Sequence, residues 1–70
     1  MDIRQVIYFI SIVEKGSFSA AADDHFISQS SLSKTIIELE KEIGVSLFDR
    51  SKRKVSLTSA GEAFLEYARK

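Results

Sequence analysis

Apolar residues recur at helical spacing in successive stretches of this chain, and the polar interruptions fall where helices are capped. Ile3, Val6, Ile7, Ile10 and Val13 give a first helix an inward stripe, and Gly16 suits its C-terminal end. Ser17 then caps a second helix with Phe18, Ala21, Ala22 and His25 on one face, where the small alanines admit another helix closely. Phe26 and Ile27 break the spacing. Ser28 caps a third helix whose Leu32, Ile36, Leu39 and Ile43 turn inward, and Gly44 closes it in the left-handed backbone that glycine adopts most easily.

Beyond Gly44 the period changes. Leu47 and Phe48 lead into the charged run Asp49 to Lys54, after which Val55, Ser56 and Leu57 alternate as a strand would. Two short strands across a charged tip are predicted, joined loosely because the tip has no Gly, Asn or Pro for a tight primed turn. Thr58 caps a last helix with Glu62 near its positive end and Ala60, Ala63, Phe64, Tyr67 and Ala68 at helical spacing. Phe18, Leu32, Ile36, Leu39, Leu47, Phe48 and Leu57 complete the predicted core. At 70 residues the chain is one domain, whose core removes only about 60% of the unfolded surface from water.

The third helix carries the candidate chemistry. At roughly 100° per residue, Gln29, Ser30, Ser33, Lys34, Ile37 and Lys41 share an arc of about 140° beside the apolar stripe. Gln pairs bidentately with adenine, Ser hydroxyls donate or accept, and Ile37 fits a thymine methyl, while Lys34 and Lys41 suit phosphates. The helix start, capped by Ser28, adds unpaired N–H groups and the positive end of the macrodipole. Taken alone, the same arc reads equally as solvated surface. The basic run Arg50, Lys52, Arg53 and Lys54 shifts the balance, because a helix pair followed by a basic wing completes a winged helix-turn-helix that binds nucleic acid.

Those residues, in that order, resemble the N-terminal domain of the LysR-type transcriptional regulators over nearly the whole chain. The resemblance rests on Phe9 and Val13, Ser17-Phe18-Ser19, Ala21-Ala22, Ser28-Gln29-Ser30 with Ser33, and Leu39-Glu40. It continues through Gly44-Val45, Leu47-Phe48-Asp49-Arg50, Leu57-Thr58 and Ala60-Gly61-Glu62. It implies a mainly α fold, a winged helix-turn-helix with a three-helix core, a short β-hairpin wing and the start of a C-terminal linker helix. On this reading residues 1–58 form the DNA-binding domain, with the helix-turn-helix at about 18–37 and the wing at about 47–57. Residues 59–70 begin a linker and dimerisation helix, and the family's effector-binding domain lies outside the fragment.

Carried over by position, Gln29, Ser30, Ser33 and Lys34 match the family's groove-facing residues, and Arg50, Lys52, Arg53 and Lys54 its basic wing; Ser28, as the cap, and Ile37, from the helical arc, complete the expected DNA-binding set. The partners implied are double-stranded DNA with an AT-rich interrupted dyad, a second copy in the full-length protein, and an inducer bound only through the other domain. No cofactor is implied. Phe64 and Tyr67 are the candidates for the dimer face, with packing on their own domain the equal alternative. The chain departs from the family at His25, Ile37 and Glu38. His25 stands on the inward stripe where Leu is usual, and a partly exposed, solvated imidazole is preferred to a pH switch or metal ligand, since no second His or Cys is present. Ile37 and Glu38 replace basic or polar residues and weaken the phosphate grip expected there.

Composition adds little to this. Ten basic and ten acidic residues cancel, so net charge alone would not suggest DNA. The distribution is dipolar, with acids at Asp23-Asp24 and from Glu38 to Glu42 and a purely basic wing tip. The absence of Cys excludes a disulfide and permits a reducing cytoplasm, the expected location; no signal peptide or membrane span is apparent. One His, no Cys and dispersed carboxylates leave no converging set for acid–base or nucleophilic catalysis, so an enzyme is not expected. The alternative function is a winged-helix module that docks a protein without DNA, because this scaffold serves both roles.

Overall fold

Four helices form from the capping signals. The computed structural model describes residues 1–69 and places α1 at Ile3–Lys15, α2 at Phe18–Asp24, α3 at Gln29–Ile43 and α4 at Ser59–Ala68. Ser17, Ser28 and Thr58 are the N-caps of α2, α3 and α4, each accepting a backbone N–H at its side-chain oxygen. Gly16 and Gly44 close α1 and α3 at φ of 70° and 87°. The cap of α1 adds to the expectation. Asp2 accepts the Arg4 N–H at 3.0 Å while Gln5 Oε1 accepts the Asp2 N–H at 3.0 Å, a reciprocal capping box written as Asp-x-x-Gln in the sequence.

The core forms where α1, α2 and α3 meet, from Phe9, Ile12, Ala21, Ala22, Leu32, Ile36, Leu39, Leu47 and Phe48. This corrects the stripe assigned to α1. Ile3 is 72% exposed and Ile7 is also exposed, whereas Gln5, Phe9 and Ile12 face inward. Because α1 carries Ile, Val, Tyr or Phe around most of its circumference, more than one line of residues satisfies the helical period. The Phe9 ring, set tilted against Phe48 and edge-on to Phe64, settles the rotation. Ile43 is likewise exposed, since the last turn of α3 runs past the core. His25 ends α2 rather than lining its buried face, with its ring 4.9 Å from Tyr8 and Nε2 3.9 Å from an Asp24 carboxylate oxygen.

The expected two-stranded wing is reduced to one antiparallel bridge, Phe48 to Leu57, and no strand forms among the described residues. Its arms are held by the Asp49 N–H donating to Ser56 O at 2.8 Å and the Thr58 N–H donating to Leu47 O at 3.0 Å. The tip has no turn chemistry to extend the ladder. Asp49 instead accepts both the Ser51 N–H and the Ser51 hydroxyl, bending the chain out of strand geometry.

Two contacts fix this loop to the helices. In the first, α4 passes directly over the loop at Gly61, which is buried: a Cβ there would stand 2.0 Å from the Leu47 carbonyl oxygen. In the second, Glu40 on α3 reaches across. Its Oε2 accepts the backbone N–H groups of Leu47 at 2.7 Å and Phe48 at 3.2 Å, and Arg50 donates to Oε1 at 3.0 Å. Partial burial raises the Glu40 pKa, but the bonds from Leu47, Arg50 and Phe48, with the Arg50 charge, outweigh it and hold the carboxyl below its ordinary value of 4.5. No described helix is long and apolar enough to cross a membrane.

Gly61→Ala would add about 1 kcal/mol of helix propensity on an open helix. Here it is expected to cost about 1–3 kcal/mol net through the clash with Leu47, read as a fall in Tm of about 4–8 °C per kcal/mol in thermal unfolding. Glu40→Gln is expected to cost about 1–3 kcal/mol at neutral pH in urea unfolding. The folded-state pKa lies below the unfolded one, so the carboxylate's contribution is complete above pH about 4.5 and lost as pH falls through the folded-state value. The gap between wild type and Glu40→Gln should therefore close on acidification; a gap constant with pH would remove Glu40 from this role.

Candidate nucleic-acid interface

The site is built at the start of α3. Ser28 orders it: its Oγ accepts the Ser31 N–H at 3.1 Å, donates to the Ser31 hydroxyl at 2.9 Å and lies 3.2 Å from Ser30 Oγ. These bonds stiffen the first turn and leave the Gln29 side chain uncommitted. Gln29, Ser30 and Lys34 are exposed, Ser33 is half-buried beside them, and Ile37 and Lys41 continue the exposed arc one and two turns on. The opposite face, Leu32, Ile36 and Leu39, is fully buried. The division between exposed polar arc and core stripe therefore holds along α3 up to Leu39.

The basic residues divide into two kinds. Arg50 is tied to Glu40 through one guanidinium nitrogen and serves the base of the loop. Lys52, Arg53 and Lys54 are exposed, and among the described residues none has a carboxylate within 4 Å; the same holds for Lys34 and Lys41. The side chains of Phe18 and Phe48 floor a shallow hollow rimmed by Arg50, Lys52, Arg53 and Lys54. Asp49, the one carboxylate on that rim, is held below its ordinary pKa by the bonds from the Ser51 hydroxyl and N–H, with a smaller contribution from the Lys52 charge. It stays ionised and turned to Ser51.

The glutamate that places this loop was missed as a functional residue in the sequence. Its signal was the Leu39-Glu40 pair at the end of the core stripe, where a carboxylate one position past a buried Leu must find partners near the surface. The dimer candidates separate: Phe64 is half-buried, edge-on to Phe9 with ring centroids 5.0 Å apart, whereas Tyr67 is 72% exposed. Together with Val6 and Ala68 they line a shallow groove between α1 and α4. Among the described residues no group of three or more His, Asp or Glu stands close enough to hold a metal ion.

The fold recurs in known proteins. Residues 3–62 match the family model described as "Bacterial regulatory helix-turn-helix protein, lysR family". The chain is 48% identical over 69 residues to the HTH-type transcriptional regulator TfdT of Cupriavidus pinatubonensis, covering 99% of this chain and 30% of that protein. It superposes with a TM-score of 0.93 and 43% identity on the crystal structure of the BenM_DBD/benA site 1 DNA complex, over 97% of this chain and 76% of that one; BenM is a regulator of Acinetobacter baylyi. The CbnR_DBD–DNA complex gives a TM-score of 0.91 at 45% identity, over 99% of this chain and 79% of that one. The chain spans less than a third of the length of the curated relatives it matches. With sequence and fold in agreement from α1 to the first turn of α4, this chain belongs to the lysR family of bacterial regulatory helix-turn-helix proteins.

Proposed function

We propose that the chain binds double-stranded DNA sequence-specifically as the reading domain of a transcriptional regulator. The observation that carries this is the start of α3: a capped, exposed polar turn with Gln29, Ser30, Ser33 and Lys34 on one arc, on a backbone that superposes on domains crystallised with DNA. In this reading α3 enters the major groove, where Gln29 pairs with adenine and Ile37 meets a thymine methyl. Lys34 takes phosphate, and Lys52, Arg53 and Lys54 lie along the backbone or in the minor groove. Arg50 acts mainly by holding the loop to Glu40 and offers its remaining N–H groups to phosphate.

The wider assembly follows the same reading. An AT-rich interrupted dyad is met by two copies, joined by α4 continuing as a linker helix, with Tyr67 and the exposed edge of Phe64 toward the partner. A small-molecule inducer acts through a domain beyond these residues, and the protein works in the cytoplasm. The competing reading, a docking module without DNA, leaves the uncommitted Lys52, Arg53 and Lys54 without a role.

An amide-resolved NMR titration with a short AT-rich duplex carrying a spaced dyad should shift Gln29 to Lys34 and Arg50 to Lys54, fading as salt rises. Lys52→Glu, Arg53→Glu and Lys54→Glu together should abolish those shifts and leave the free spectrum folded; an unmoved wild-type spectrum would favour the docking module. Separately, Gln29→Ala should cost about 1–3 kcal/mol on the cognate site and much less on random DNA. Equal losses on both would mean that Gln29 does not read a base.

A further inference from the structure

Four of the five phenylalanines pack in or against the core, and the fifth does the opposite. Phe26, in the turn between α2 and α3, is 95% exposed. It is also the one non-glycine residue with positive φ, 57°, among the described residues. Both properties oppose stability. A left-handed backbone favours Gly or Asn, and a ring left in water gains nothing from folding. The turn nonetheless holds it there: the Phe26 N–H donates to Asp23 O at 3.2 Å, and the Ile27 N–H returns to Ala22 O at 3.0 Å. The ring is thus presented outward by a fixed backbone, two residues before the Ser28 cap and separated only by the half-buried Ile27 from the exposed run Ser28, Gln29 and Ser30.

We propose that Phe26 is an apolar DNA contact at the leading end of the recognition helix, positioning that end against the edge of the major groove. The inference rests on the DNA-binding reading above. The groove edge offers two apolar surfaces to a ring, the thymine C5-methyl and the deoxyribose, and both lie beside bases that the first turn of a recognition helix reads. A polar residue in the same turn would relieve the strain but could not make that contact. Phe26 therefore adds to affinity where charge does not, so its contribution should persist as salt weakens the lysine and arginine contacts.

The test compares wild type, Phe26→Ala and Phe26→Gly on a duplex selected for this chain from a random pool, with Tm measured in parallel. Phe26→Ala keeps the strained turn and removes the ring; about tenfold weaker binding at an unchanged Tm is expected. Phe26→Gly should bind as weakly while its Tm rises by about 4–8 °C. Repeating the comparison with uracil for thymine separates the sources: a gap that closes identifies the methyl group, and one that persists identifies the sugar. Phe26→Ala binding as tightly as wild type would overturn the inference and leave the DNA-binding reading standing. Failure of wild type to select any duplex would instead overturn that reading. A loss of affinity that tracks a loss of self-association in sedimentation would overturn the inference by assigning the ring to a contact between copies.

Discussion

The fold turns on one ring. Phe9, fully buried on α1, meets Phe48 of the basic loop at 5.3 Å and Phe64 of α4 at 5.0 Å, and Phe48 in turn meets Phe18 of α2 at 5.2 Å. Each such pair contributes about 0.5–1.5 kcal/mol beyond the area it buries. In a chain this small, whose net stability is a few kcal/mol, those contacts are a large share of the margin. They also bring in α4, the one helix that α3 does not pack against. Helix α3 joins the same cluster through Leu32, Ile36 and Leu39, so its exposed polar arc lies on the far side of a helix already anchored.

Charge is arranged by the same economy of contacts. The chain has no net charge, yet the carboxylates nearest the basic loop are both occupied: Glu40 by two backbone N–H groups and Arg50, Asp49 by Ser51. Neither forms an ion pair with Lys52, Arg53 or Lys54. At the end of α2, Asp24 is paired locally too, lying 3.8 Å from Lys15 Nζ. A neutral protein thus presents a local positive field where the loop projects, and the field, not the sum, governs attraction to a polyanion.

Much of this was legible in the sequence because it rests on local chemistry. Ser17, Ser28 and Thr58 cap helices for reasons that act within three residues, and Gly16 and Gly44 end them for equally local ones. The arc from Gln29 to Lys41 follows from helical period once α3 has a buried stripe. What was not legible needed three dimensions. The rotation of α1 depends on which of several apolar lines meets a ring 39 positions away in Phe48, and the loop's lost strands depend on the Asp49 side chain turning the chain at Ser51, directly after the last cross-loop bond from Asp49 N–H to Ser56 O. Glu40 could be read as one more acid on an acidic stretch until its partners, seven to ten residues on, were in view. Phe26 looked like a mere interruption of spacing, since only the backbone torsion shows how firmly it is held outward.

Glu40 has a consequence for the partner as well as for the protein. Because one side chain of α3 grips the backbone of the loop from Leu47 to Phe48, helix and loop cannot adjust their separation independently. On the proposed reading, the distance between groove contact and backbone contact is a fixed ruler. Any mismatch in groove width or helical twist must then be absorbed by the duplex, whose bending and compression cost depends on base steps that no side chain touches. Part of the sequence preference would be written in the stiffness of the DNA, and a carboxylate that never meets a base would help to set it.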